Sequence, residues 1–500
     1  MDHDPTQALA PAQGETALAP LPEARLAQPE GPASSRFSPF VTGLCLVLLV
    51  GSLALLLWDY GSTPALTRAK EPERALHLMV GRMLDLDEAL RRAPAWERLL
   101  YEMAVGGEPD DLREALSWYD ELAEFSDEPL VQLQLAILEA EAGRPDQLRA
   151  RAERWTAQPD PYPLYAHLVR AAYLESRLDP ETERTLQGHA AELLPTGWFY
   201  DRLALQLAER GGDRALRAST RTAMEARTEP LMWRVRALMA GQFAILLIGI
   251  VSAVLLVQRR AVPAWVRVGT ATVPPSWRGW DGVAVLARGG TLGMAMIIGL
   301  SLVGEDGPLL HVVTIPLSGL PLMLLARRHL LAPRGAGFRE GLGLRIIPGR
   351  WPAFVVSATA VTAAGLVGEW VTGLGARWLD LSSHWTEWFD ADLAWGPGPT
   401  AVAALLEYIV LAPVFEEAIF RGLLFATLRR QFQWAPAALL SATVFSLMHG
   451  YGMLGFVNVV WSGLLWAWAY EKTGSLLPGM AAHMVNNVLV TTSLLIFLRF

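Results

Sequence analysis

The stretch LAPVFEEAIFRGLLFATLRR, residues 411–430, sets Glu416, Glu417 and Arg421 inside an apolar run where each charge is costly. An ionisable group at membrane depth points to function by default, because its burial must be offset by a partner or by water. Glu417 and Arg421 stand at i and i+4, acid before base, the favourable order for a helical ion pair. Glu416 points about 100° away around the same helix and has no partner in its own segment. Its compensation must come from elsewhere. FSLMH spaces Phe445 and His449 one turn apart, and HMVNN puts His483 and Asn487 on one face, with Asn486 turned away. Glu416, His449, His483 and Asn487 thus lie on three separate helices that a bundle can bring together. A carboxylate and an imidazole around a water make a general base, and a second imidazole with an amide can donate to a developing oxyanion. Those are the parts that amide hydrolysis needs.

Taken singly, each group has a plainer reading. Glu416, Glu417 and Arg421 could be an ion-pair cluster between helices, and His449, before Gly450, a histidine at a helix end. His483 and Asn487 could be interhelical glue. Taken together, EEAIFR reads as EExxxR, FSLMH as FxxxH and HMVNN as HxxxN, in this order on consecutive hydrophobic helices. These motifs resemble the CPBP family of CAAX proteases and bacteriocin-processing proteins, also called the Abi family of intramembrane proteases. The flanks EEAIFRGLLF and YEKTGSLLPGMAAHMVNN are similar to its bacterial branch. The resemblance covers residues 350–498 and leaves residues 1–240 outside.

It implies an all-helical membrane core that cleaves peptide bonds, with its site opening near the cytoplasmic side. By position it implies that Glu416 and His449 activate water, that His483 and Asn487 stabilise the oxyanion, and that Glu417, Arg421 and Phe445 support the site. The family has also been described as zinc-dependent, which would make Glu416, His449 and His483 ligands. Spacing does not decide between the two. No HExxH occurs, and the preferred reading is a metal-free glutamate mechanism without a cofactor. Prenylated CAAX peptides define only part of the family, and the bacterial-style flanks argue for another membrane peptide as substrate.

The elements that must position these residues follow from composition. Of 500 residues, 52% are hydrophobic and 18% charged, which points to membrane spans rather than a soluble globule. The net charge of -8 leaves no basic footprint for nucleic acid. With Cys45 the single cysteine, an intrachain disulfide and a cysteine metal site are both excluded. The expected organisation is a disordered tail over 1–38, a transmembrane anchor over 39–58, a soluble helical domain over 64–236, transmembrane helices over 238–345 and the protease-like core over 350–498. An all-α polytopic protein with about nine spans results.

Within the soluble domain, breakers recur in two sets: Pro109, Pro145, Pro180 and Asp213, then Pro129, Pro163, Pro195 and Pro230. Their roughly 32 to 36-residue rhythm matches tetratricopeptide-like helix hairpins, which bind peptides or partner proteins. An irregular helical bundle fits as well. Arg327, Arg328, Arg334, Arg339, Arg345 and Arg350 crowd one loop, and Arg259, Arg260, Arg267, Arg278, Arg429 and Arg430 fall on the same side by alternation. That side is expected to be cytoplasmic. The helical domain then lies outside, in what reads as a bacterial inner membrane protein. His311 and Gly304-Glu305-Asp306 read as solvated loop, and Trp461, Trp466 and Trp468 as packing or interface residues. Rival membrane-protease signatures are absent: Ser462-Gly463 lacks the first glycine of GxSG, and no apolar run from 283 onward holds an internal aspartate. A non-catalytic scaffold or immunity protein and a transporter remain as readings of another class, although the spans show no convincing internal duplication.

Overall fold

A computed structural model describes residues 37–104, 111–259, 263–303, 307–379 and 381–499. All of the expected tail before Phe37, together with Pro109, Arg260 and Gly304-Glu305-Asp306, lies outside the described residues. Every regular element among them is helical. Seven helices are long and apolar enough to cross a bilayer: Pro39–Ser62, Arg214–Arg259, Gly279–Leu302, Pro308–Arg334, Trp351–Trp378, Met453–Thr473 and Leu477–Arg499.

The other two of the expected nine differ in kind. Trp434–Leu447 has 14 residues, and at about 1.5 Å per residue it falls short of a hydrocarbon core of about 30 Å. Residues 398–428 are long enough, but they carry Glu407, Glu416, Glu417 and Arg421 and break into alternating α and π pieces. Both segments bear motif residues. Their polar groups need protein rather than lipid around them.

Between the anchor and the second span lies the helical domain. Helices begin at Asp111, Pro145, Pro180 and Arg214, 34 or 35 residues apart. Pro129, Pro145 and Pro180 each open a helix, where the missing N–H has no bond to lose. Pro230 breaks the pattern, because it sits inside Arg214–Arg259. The expected boundary near residue 236 therefore falls within one unbroken helix of 46 residues that runs from the domain into the bundle. Side chains clasp that helix on both sides of the proline. Arg227 reaches Asp85 at 2.7 Å and Asp201 at 2.6 Å, and Arg236 reaches Glu97 at 2.6 Å.

The domain shares its core with the membrane part. Trp385, Ala394 and Leu498 join the cluster built by Leu76, Tyr119, Leu135 and Phe199. His384 Nε2 lies 3.0 Å from Glu121 Oε2, and Arg377 lies 3.8 Å from Glu102. Residues 381–397 and the end of the last helix are thus docked on the domain.

At the other end of the bundle the arginine-rich loops interlock. The Val268 and Gly269 amides donate to Thr473 O at 2.9 and 3.1 Å, Ala271 N to Gly474 O at 3.1 Å, and Ile347 N to Val268 O at 2.8 Å. Ser475 Oγ donates to Gly343 O at 2.6 Å. A Cβ at Gly269 or Gly343 would stand 2.4 or 2.2 Å from Gly474 O, so only glycine permits this approach.

Candidate active site

Residues 398–428 supply the first motif through an irregular helix. Pro413 has no N–H to give one turn back, and the helix is widened to π over Glu407–Leu411. A second π segment runs over Glu417–Phe425. Such bulges are frequent at functional sites. Here the junction falls between the two glutamates.

Both glutamates converge on one imidazole. His483 Nε2 lies 3.6 Å from Glu416 Oε2, and Nδ1 lies 3.2 Å from Glu417 Oε1. Glu417 pairs with Arg421 and Glu416 finds its partner outside its own segment, with His483 shared between the two carboxylates. The His483 ring is also stacked on Trp466, with centroids 3.9 Å apart and planes 17° from parallel. Trp466 is a site residue that sequence reasoning treated as packing.

Glu417 holds Arg421 at 3.0 Å, and both side chains are fully buried. Neither terminal nitrogen of Arg421 makes an aligned hydrogen bond within the protein. The guanidinium lies instead over the rings of Phe445 and Trp466, at 4.2 and 4.8 Å. Cation–π attraction in a desolvated setting compensates part of that loss. Gly463 makes the room, since a Cβ there would meet Arg421 Nη2 at 2.9 Å.

His449 approaches from the end of Trp434–Leu447. Its Nδ1 donates to the Phe445 carbonyl at 2.8 Å. A carbonyl can only accept, so Nδ1 is the donor and Nε2 lies outside this bond. Phe445 stands between the two imidazoles, with its ring 4.6 Å from His449 and 6.1 Å from His483. Among the described residues no ion pair joins His449 to Glu416, and the partner found for Glu416 is His483. Tyr451 follows His449, with ring centroids 5.6 Å apart. Burial pushes its phenol above the usual range, and the Glu416 and Glu387 charges add to the rise. The field of Glu416 thus reaches the His449 loop.

Asn487 Nδ2 donates to Tyr408 O at 2.7 Å, a carbonyl of the first π segment. One of its two N–H donors is engaged and the other remains. Asn486 lines a separate groove with Thr362, Ser462 and Trp466. Among the described residues no group of three or more His, Cys, Asp or Glu side chains stands together as a metal cluster.

A neighbouring polar cluster corrects the reading of His311 as solvated loop. His311 is half-buried, with Nδ1 2.5 Å from Glu407 Oε2 and Nε2 3.2 Å from Asp392 Oδ2. Tyr408 donates to Asp390 at 2.7 Å beside it. The missed signal was Glu407, a third glutamate in the same apolar run, to which the argument from charge at membrane depth applies equally.

No curated protein and no solved structure matches the chain. Residues 398–489 match the family model described as type II CAAX prenyl endopeptidase Rce1-like. That segment contains Glu416, Glu417, Arg421, Phe445, His449, His483 and Asn487 and begins beyond the helical domain. The C-terminal membrane part of this integral membrane protein is therefore similar to a CAAX-type intramembrane protease core.

Proposed function

We propose that the chain is an intramembrane endopeptidase of the glutamate type, hydrolysing a peptide bond in a membrane-associated polypeptide. The observation that supports this most directly is the convergence of both motif glutamates on His483, with Phe445 linking that imidazole to His449. Glu416 is the carboxylate of the pair with exposed surface, at 25% against 1% for Glu417. It is the one that can meet water.

In the proposed reaction Glu416 takes a proton from water, with His449 Nε2 as the second acceptor that orients the nucleophile. The water oxygen bonds to the scissile carbonyl carbon. His483, as the imidazolium whose Nδ1–H is held by Glu417, donates its Nε2–H to the oxyanion, and the free N–H of Asn487 donates beside it. Collapse breaks the C–N bond, and the amine departs with the proton from Glu416. The helical domain, with its hairpin spacing close to that of tetratricopeptide-like repeats, is proposed to recruit a substrate or partner protein. An inner-membrane location with the domain outside remains the proposed placement, from the arginine bias alone.

The test compares cleavage of membrane-anchored peptides in membranes carrying the wild type, Glu416→Gln, His449→Ala or His483→Ala, each checked for folding. Loss of a general base or oxyanion donor should lower the rate by about 10²–10⁴. Cleavage unchanged in all three, with folding intact, would favour the scaffold.

A further inference from the structure

The two ends of the bundle are unequally closed. At the arginine-rich end, Val268, Leu342, Thr473, Ser475 and Leu476 are essentially without exposure, and backbone bonds tie their loops together. Arg429 adds a bidentate pair to Glu471 at 3.0 and 2.8 Å across that end. At the domain end the Trp434–Leu447 helix stops early, and its last turn leads into the His449 loop. There Tyr451 is 40% and Met453 68% exposed. This loop carries the exposed surface next to His449.

The surroundings of that loop are built by distant parts of the chain. Tyr60, at the domain end of the anchor, lies on Gly450, where a Cβ would stand 2.4 Å from its ring. Gly450 has φ 65°, so a left-handed turn and the close approach both call for glycine. The Arg68 guanidinium lies 4.3 Å over the Tyr60 ring. Glu387 accepts from Gly452 N at 3.1 Å, and its loop is the one docked on the helical domain.

We propose that the site receives its substrate from the membrane face that carries the helical domain. The substrate is then a membrane polypeptide whose scissile bond and soluble flank lie on that face, entering past the rim formed by Tyr60, Tyr451 and Glu387. This rests on the hydrolase reading for its meaning. It also separates two expectations that the sequence raised together. An opening near the cytoplasmic side and arginine-rich loops on that same side cannot both hold, because the opening and those loops occupy opposite ends of the bundle.

The test reads access without turnover, so its failure is distinct from failure of the hydrolase reading. In the full chain with Cys45→Ser, a single cysteine is placed by Glu416→Cys, by Glu192→Cys on the helical domain, or by Arg339→Cys in the arginine-rich loop. Oriented vesicles are treated from each face with a charged, membrane-impermeant methanethiosulfonate. Glu416→Cys is expected to react from the face that labels Glu192→Cys and to show no labelling from the face that labels Arg339→Cys. Labelling from the Arg339 face, or from neither face, would overturn the proposal. His449→Cys provides the same reading should Glu416→Cys not fold.

Discussion

Glu417 serves two partners at once, the Arg421 guanidinium and the His483 ring. It sits 3.0 Å from Arg421 and 3.2 Å from His483 Nδ1, with no accessible surface to let water replace it. Glu417→Gln leaves Arg421 as a buried cation without a counter-charge, a loss that in soluble proteins costs about 3–5 kcal/mol. A marked fall in melting temperature in detergent is expected. The double change Glu417→Gln/Arg421→Met removes both charges and should recover most of that stability while leaving the proposed activity impaired, because His483 loses the carboxylate that holds its Nδ1–H. At this scale the motif residues were legible because charge and amide groups stand out against an apolar background. Trp466 was not. An indole in a membrane helix packs in the same way whether its neighbour is a leucine or an imidazole, and only the folded structure reveals the face it covers.

Helices supply the precision that the residues need. Gly463 lets Met453–Thr473 lie close to Trp434–Leu447, and a Cβ there would stand 2.8 Å from that of Ala442 and 2.9 Å from Arg421 Nη2. Gly463→Ala should therefore force the two helices apart at a cost of about 1–3 kcal/mol. Because Arg421 is the atom group displaced, proteolysis should fall further than thermal stability, measured on the same preparation. Hydrophobic runs located the spans well, since length and apolarity are the physical criteria for crossing lipid. The same criteria concealed the irregularity of residues 398–428. A π segment shifts the hydrogen-bond partner by a single residue and leaves composition unchanged, so no pattern of apolar residues announces it.

On the scale of the whole molecule, the membrane part and the helical domain are joined by more than a tether. Trp385 is buried without exposure in the domain's core although it belongs to the loop between two membrane segments. Trp385→Ala should cost about 3–5 kcal/mol of docking and expose residues 381–397 to limited proteolysis, whereas the bundle itself should remain folded in detergent. Three of the breaker prolines open helices, but the rhythm held no sign of this union, because a tryptophan in an acidic loop carries no record of which core it enters.

The unbroken helix Arg214–Arg259 has a mechanical corollary. In the bilayer it lies against Trp351–Trp378 so tightly that a Cβ on Gly249 would stand 2.1 Å from that of Ala363, and Ser252 bonds Thr359 at 2.7 Å. Val361 on that second helix packs in turn against the Phe445 and Trp466 cluster. Pro230 lies within the Arg214–Arg259 helix, yet no linker interrupts it. A load on the domain's hairpins has no slack segment in which to dissipate, and it is expected to be felt two helices away from the glutamates.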